Sequence, residues 1–201
     1  LMDRYHVFST DDMINWTDHG EILSSDQVPW GRKEGGFMWA PDCAYRNGTY
    51  YFYFPHPSET DWNDSWKIGV ATSDKPAEGF KVQGYIEGMD PMIDPCVFVD
   101  DDGQAYLYWG NPNVYYAKLN ADMVSLDGEV SKVEQTIESF GSPGPDKREK
   151  GKKYKDIYTE GPWLHKRGGT YYLSYAAGGV PEHIAYSMSD TPTGPWKYMG
   201  E

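Results

Sequence analysis

The sequence predicts an all-β protein, specifically a β-propeller built from four-stranded antiparallel blades. A pattern of strand, glycine turn and aromatic strand recurs along the 201 residues. No stretch keeps the apolar spacing of about 3.6 residues that is typical of a helix. Aromatic residues make up 16% of the chain, which is too many for a disordered protein. Tandem four-stranded units of this kind are typical of a propeller.

The first recurring element is a hairpin whose copies align without a gap. "DPCVFVDDDGQAYLYW" (94–109) aligns with "EGPWLHKRGGTYYLSY" (160–175), and this alignment places Asp94 on Glu160. A third copy, at 40–54, has a shorter Asn-Gly turn. Asn-Gly and Asp-Gly between β-rich runs are strong hairpin signals. Each copy therefore predicts two antiparallel strands.

The second recurring element is a strand, a Ser/Thr-Asp turn and a strand that an aromatic residue opens. Its clear copies lie at 4–20, 66–82 and 182–198, and a weaker one lies at 113–130. In the first copy, "STDDMINW" (9–16) resembles the Asp-box of sialidases, with Met13 where glycine is expected. That motif is a structural turn between outer strands and carries no chemistry.

One hairpin of each kind makes a blade. We expect the outer half of blade 1 at 1–25 and complete blades at 37–86, 90–134 and 157–201, within a single partial propeller domain, 1–201. Closure of a propeller covers its sheet edges. About three and a half blades cannot close, so the sequence is expected to be a segment of a longer protein.

Charge and composition exclude several classes of partner. A net charge of −13 and a pI near 4.7 argue against binding to nucleic acid or to an anionic membrane. No apolar run reaches the roughly 18 residues of a membrane span. Cys43 and Cys96 form no zinc-binding pattern and are expected to be buried thiols, with a disulfide as the alternative. The basic loop 141–156 is expected to be a solvated insertion, or else a lip that contacts substrate.

Two carboxylates occupy one repeat position. Because the first strand of each propeller blade lines the central axis, Asp94 and Glu160 should face one axial cavity. A pair of carboxylates across a cleft suits glycoside hydrolysis. Three tryptophans near the same strand ends are candidate flat faces for sugar rings, with core packing as the alternative: Trp39, Trp109 and Trp163.

Five stretches resemble glycoside hydrolase family 43 and follow the order of that family over nearly the whole chain. The resemblance implies a five-bladed propeller enzyme that acts on arabinose- and xylose-containing polysaccharides, of α-L-arabinofuranosidase or β-xylosidase type, by an inverting mechanism. The stretches are "YHVFSTDDMINWTDHG", "MWAPDCAYRNGTYYFYFP", "IDPCVFVDDDGQAYLYWG", "YTEGPWLHKRGGTYYLSYA" and "AYSMSDTPTGPW".

The resemblance also implies roles for particular residues. Glu160 in "TEGPW" matches the general acid, and Asp94 in "IDP" matches the Asp that modulates the pKa of the acid and orients it. Trp39 and Asp42 in "WAPD" match residues near the sugar-binding pocket. The general base is an Asp expected before Leu1, so this segment alone is expected to be inactive. No cofactor is required and no metal ligand is assigned, although the complete propeller allows a structural or axial calcium ion.

Two other functions stay open. The first is a retaining hydrolase of a related five-bladed clan that acts on fructans and carries an "RDP" motif; here Ile93 precedes Asp94. The second is a carbohydrate-binding propeller without catalysis. In each case the expected partner is an oligo- or polysaccharide, with neither nucleic acid nor a membrane span. A polysaccharide substrate implies a secreted, periplasmic or cell-surface location.

Overall fold

Antiparallel sheets contain all fourteen strands that the computed structural model describes. The chain forms two compact units, Leu1–Ile93 and Asp94–Glu201. No helix within the described ranges is both long and apolar enough to cross a membrane. The described residues are 2–32, 37–58, 65–90, 92–142, 157–179 and 181–201.

The first unit holds a two-stranded and a four-stranded sheet. Strands β1 (Arg4–Ser9) and β2 (Thr17–Ser24) form the former, and a 3₁₀ helix follows at Ser25–Gln27. The latter is a meander of β3 (Asp42–Arg46), β4 (Thr49–Pro57), β5 (Trp66–Ser73) and β6 (Lys81–Tyr85). Between β3 and β4, Asn47 and Gly48 have φ values of 51° and 84°, the positive values that a tight hairpin turn needs.

The turn between β1 and β2 is the local structure that the Asp-box pattern predicted. The Asp12 carboxylate accepts hydrogen bonds from the backbone N–H groups of Ile14 and Asn15, at 2.9 and 2.7 Å. These bonds hold the pKa of Asp12 well below its ordinary value. Met13 takes the glycine position with φ 62° and an exposed side chain, so it tolerates a left-handed backbone in open solvent.

The second unit holds two four-stranded meanders. The first consists of β7 (Cys96–Val99), β8 (Ala105–Trp109), β9 (Tyr115–Leu119) and β10 (Leu126–Lys132), and a short helix, α1 (Ile137–Phe140), follows it. The second consists of β11 (Glu160–Arg167), β12 (Thr170–Ala177), β13 (His183–Ser189) and β14 (Lys197–Gly200). The aligned turn glycines Gly103 and Gly169 have nearly the same φ, 85° and 84°.

The core of the second unit lies between its two sheets. Tyr106 and Tyr108 from one sheet pack in one cluster with Leu164, Leu173 and Tyr175 from the other. Every second residue of β12 is buried in this cluster, as expected of a strand with one face on a core. The packing brings β11 next to β7 and so brings the starts of these two strands together.

The two cysteines are not joined in a disulfide. Cys96 is buried, as expected, and its sulfur accepts a hydrogen bond from the Leu164 N–H at 3.2 Å. The expectation of burial was wrong for Cys43, which is exposed because it lies on the outward face of β3. Most of the basic loop, residues 143–156, lies outside the described residues.

A buried carboxylate links the β7–β8 hairpin to the neighbouring sheet. Asp100 accepts hydrogen bonds from Lys166 Nζ at 2.7 Å and from the Tyr171 hydroxyl at 2.5 Å. Burial would raise the pKa of Asp100, but these hydrogen bonds outweigh burial and lower it. Lys166 also pairs with Asp101 at 2.8 Å, yet the Asp101 side chain is 86% exposed while that of Asp100 is 8% exposed.

We expect Asp100→Asn to destabilise the protein by about 1–3 kcal/mol at pH 7, because the partly exposed Lys166 and the Tyr171 hydroxyl both lose a charged acceptor whose own side chain is largely buried. Asp101→Asn is the matched control, since it removes an exposed partner of the same lysine and should leave stability near the wild type. Urea unfolding of both variants checks this. Equal losses for the two variants would contradict the assignment of the stabilisation to Asp100.

Candidate active site

Asp94 and Glu160 lie at the starts of adjacent first strands in the second unit. Asp94 lies two residues before β7, and Glu160 is the first residue of β11. The N–H of Gly161 donates a hydrogen bond to Asp94 Oδ2 at 3.1 Å. The Asp94 carboxylate thus reaches the backbone immediately after Glu160. The structure brings together the two acids that the repeat alignment places in register.

A bulge in β11 directs the Gly161 N–H toward Asp94. Glu160 pairs with Ala176 in β12, and the next pair is Trp163 with Ser174. These two pairs are three residues apart in β11 but only two residues apart in β12. The extra residue falls within Gly161-Pro162. Gly161 has a φ of 63°, which glycine adopts without strain, and Pro162 has no N–H that the ladder would have to satisfy. Bulges of this kind redirect groups next to active sites.

The bulge also sets the face on which Glu160 lies. It shifts the alternation by one, so Glu160 shares a face with Trp163 rather than with the core residue Leu164. Trp163 is 55% exposed, and its ring lies 4.9 Å from the ring of His165. His165 in turn stacks on Tyr172 at 5.0 Å. Of the predicted tryptophans, Trp163 therefore has an accessible ring on the face of the proposed acid.

Asp94 is held in an environment that favours its protonated form. Its side chain is buried, and burial followed by the charge of Glu160 raises its pKa to about 6, with a further contribution from Glu182. The hydrogen bond from Gly161 opposes this rise. Asp94 also has a φ of 58°, a strained value for a residue other than glycine. Loss of the Asp94 proton near pH 6 places a negative charge beside the Glu160 side chain.

Glu182 is a third carboxylate at this site, and sequence reasoning missed it. It lies directly before β13, whose first residue, His183, pairs with Ala177. Ala177 directly follows Ala176, the residue of β12 that pairs with Glu160. Glu182 therefore lies at the same end of the sheet as Glu160. Burial and then the charge of Glu160 raise the pKa of Glu182. Glu182 opens the copy of the second element at 182–198, but the aligned residues of the other clear copies are Arg4 and Trp66, so the repeat does not indicate an acid here.

Glu160 also has a neutral hydrogen-bond partner. Asn111 Nδ2, from the loop between β8 and β9, donates to Glu160 Oε2 at 2.7 Å. The hydroxyl of the buried Tyr158 donates to the Gly110 carbonyl in the same loop at 2.5 Å. Burial, with smaller effects from the charges of Asp94 and Glu160, raises the pKa of Tyr158, so its hydroxyl remains a donor. No motif in the sequence indicates either contact.

Trp109 does not present a free ring to a sugar in this structure. It is 1% exposed, and its ring stacks on Tyr115 at 6.2 Å. All five residues of β8 are buried, so Trp109 ends a strand that is covered on both faces. The continuous apolar run "AYLYW" is the sequence signal for such a strand, and it favours the alternative of core packing for this residue.

Trp39 and Asp42 belong to the first unit. Trp39 is partly buried, and its ring lies 4.7 Å from that of Trp66 and 6.2 Å from that of Phe37. Asp42 opens β3, and its carboxylate accepts a hydrogen bond from the Cys43 N–H at 2.8 Å. Their assignment to a sugar-binding pocket stays a prediction.

The described residues do not supply a side-chain ligand set for a metal ion. Within this part of the chain, no three His, Cys, Asp or Glu side chains are grouped so as to hold one. The structural or axial calcium ion that the resemblance allows in the complete propeller stays a prediction.

Comparison with known proteins places the chain among glycosidases. The family "Glycosyl hydrolases family 43" matches residues 2–200. A xylosidase/arabinosidase 43A of Humicola insolens is 34% identical over 239 residues, and a xylosidase/arabinosidase of Bacteroides ovatus is 32% identical over 231 residues. Both matches cover 99% of this chain, which spans 68% and 66% of the respective relatives.

A solved structure gives the same result for the fold. It is a family 43 β-xylosidase/α-arabinofuranosidase from a compost microbial metagenome, in complex with xylotriose and in a calcium-free form. The match has a TM-score of 0.80 and 32% identity, and it covers 98% of this chain and 66% of the solved one. This likeness and the strand topology confirm the predicted fold class, an all-β propeller of four-stranded antiparallel blades.

Proposed function

The chain belongs to glycosyl hydrolase family 43, and from this premise we propose that the whole protein hydrolyses glycosidic bonds in xylose- or arabinose-containing plant polysaccharides. The β-xylosidase and α-L-arabinofuranosidase types are the two activities that we infer. Relatives named xylosidase/arabinosidase support the substrate class. A similar solved structure that holds xylotriose supports a sugar ligand.

One observation in the structure carries the proposal. The Asp94 carboxylate contacts the backbone next to Glu160 through the Gly161 N–H at 3.1 Å. A buried acid whose pKa is raised to about 6 therefore lies beside a second, half-buried acid at one end of two adjacent sheets. Such a pair suits proton transfer to a glycosidic oxygen, which is the costly part of breaking an unactivated glycoside.

In the proposed mechanism, Glu160 is the general acid that gives its proton to the leaving oxygen. Asp94 controls the charge beside Glu160 and orients the segment that carries it. Inversion requires a separate base that activates water on the opposite side of the sugar ring. We assign that base to none of the described carboxylates, so we expect the present segment alone to be inactive. Trp163 offers an aromatic face for a sugar ring.

Activity and stereochemistry of the whole protein test this proposal. We would incubate it with the 4-nitrophenyl glycosides of β-D-xylose and α-L-arabinofuranose and with a fructan, and follow the anomer first released by ¹H NMR. Release of xylose or arabinose with inverted configuration is expected. Retention with fructan cleavage would favour the fructan-acting clan. Binding of xylotriose by calorimetry without any hydrolysis would favour a carbohydrate-binding propeller.

The proposed substrate also indicates where the whole protein works. Plant polysaccharides are too large to enter a cell intact, so we infer that the whole protein works outside the cytoplasm: secreted, periplasmic or on the cell surface. Fractionation of the source cells followed by the same assay would test this. Activity confined to the cytoplasmic fraction would contradict it.

A further inference from the structure

Asn111 makes the shortest side-chain contact that the structure gives to the proposed acid. Its amide nitrogen donates to Glu160 Oε2 at 2.7 Å. Oε2 can accept this hydrogen bond while Oε1 carries a proton, so the contact is compatible with a carboxyl group that acts as an acid. We propose that Asn111 is a positioning residue: it occupies Oε2 and so leaves Oε1 as the oxygen that carries the proton to the leaving group. This inference rests on the proposed function of Glu160.

The loop that carries Asn111 is fixed relative to Glu160. The Tyr158 hydroxyl donates to the Gly110 carbonyl at 2.5 Å, and Tyr158 is 2% exposed. The segment 158–160 and the loop residues 110–111 therefore hold each other through two hydrogen bonds. A Cβ at Gly110 would collide with the Asn113 carbonyl oxygen, so the loop is closely packed at this point. A positioning side chain needs such a fixed backbone.

A neutral donor suits this place better than a cation. The charged groups that face Glu160 are the carboxylates of Asp94 and Glu182, and the Tyr158 hydroxyl lies close to both Asp94 and Glu160. Within the described part of the chain, Glu160 forms no ion pair. A lysine or arginine would strongly favour the ionised carboxylate, whereas a general acid must hold a proton. An amide fixes the carboxyl group without imposing a charge.

The test separates proton donation from general damage by varying the leaving group. In the whole protein, we expect Asn111→Ala to lower kcat/KM about 10- to 100-fold on a methyl glycoside, whose leaving group needs the proton. On the 4-nitrophenyl glycoside of the same sugar, which leaves without protonation, the loss should stay within about threefold. Asn111→Asp, which is isosteric but adds a charge, should also move the alkaline limb of the pH–rate profile to higher pH.

Two control variants complete the design. Asn113→Ala changes the other asparagine of the same loop and should leave both rates near the wild type. When Asn111→Ala is added to the Glu160→Gln variant, it should cause no further loss on the methyl glycoside, because the acid itself is already gone. Equal losses on both substrates, or no loss on either, would overturn the positioning role while leaving the proposed function intact. If Glu160→Gln kept the wild-type rate on the methyl glycoside, the role of Glu160 would fall as well.

Discussion

Glu160→Gln is expected to lower the turnover of the whole protein on an unactivated glycoside by about 10²–10⁴-fold. The amide keeps the size of the side chain and can still bond to Asn111, but it cannot give a proton to the leaving oxygen. The change is therefore confined to one chemical step. Measurement of kcat on a methyl glycoside and on a 4-nitrophenyl glycoside of the same sugar checks it, and the activated substrate should lose far less.

Glu129→Gln provides a matched control for this result. Glu129 lies exposed on β10 of the same unit, and its substitution removes the same charge from the protein. It should leave both rates unchanged. Wild-type rates for Glu160→Gln on the methyl glycoside would show that another group is the acid, and the proposed mechanism would then be wrong.

Asp94→Asn is expected to make the protein more stable than the wild type above pH 6. Burial and the charge of Glu160 raise the pKa of Asp94 from 3.8 to about 6. Between these values the unfolded state loses the proton and the folded state keeps it, so wild-type stability falls as pH rises from 4 to 6. The fall from this one group is about 2–3 kcal/mol. Asparagine does not titrate, so the Asp94→Asn variant does not lose this stability as pH rises.

Urea unfolding at pH 4 and pH 8 measures this effect. The stability of Asp94→Asn minus that of the wild type should increase by about 2–3 kcal/mol between the two pH values. Asparagine also suits φ 58° and keeps an oxygen for the Gly161 N–H, whereas Asp94→Ala loses both and should be less stable than Asp94→Asn at either pH. A difference that did not change with pH would contradict a raised pKa for Asp94.

Most of the fold could be predicted from the sequence, because the repeats contain the residues that hairpin turns require. Aligned glycines at 103 and 169 have nearly the same φ, and the same alignment places Asp94 and Glu160 at the starts of neighbouring first strands. Alternation and turn residues are local signals, so a single sequence reveals them. The strand pairs within each sheet follow directly from these local signals.

The rest of the site depends on which strand ends meet in space, and no local signal reports that. Asn111 and Glu182 come from loops at the ends of different strands, and the repeats place no matching residue at either position. Trp109, by contrast, was predicted as a site residue but is buried. Its place near a strand end suggested an exposed ring, but packing on both faces of β8 buries it. Exposure of an aromatic residue is decided by neighbouring sheets rather than by its position in a motif.

The bulge at Gly161-Pro162 determines what kinds of sequence change this segment can tolerate. Many single substitutions along β11 would alter one side chain and leave the others in place. Deletion of one residue between Glu160 and Trp163 would instead remove the bulge: Glu160 would stay on the face of Trp163, but the backbone N–H that follows Glu160 would no longer be directed toward Asp94. In evolution and in variant libraries alike, the length of this segment should therefore be more constrained than its composition.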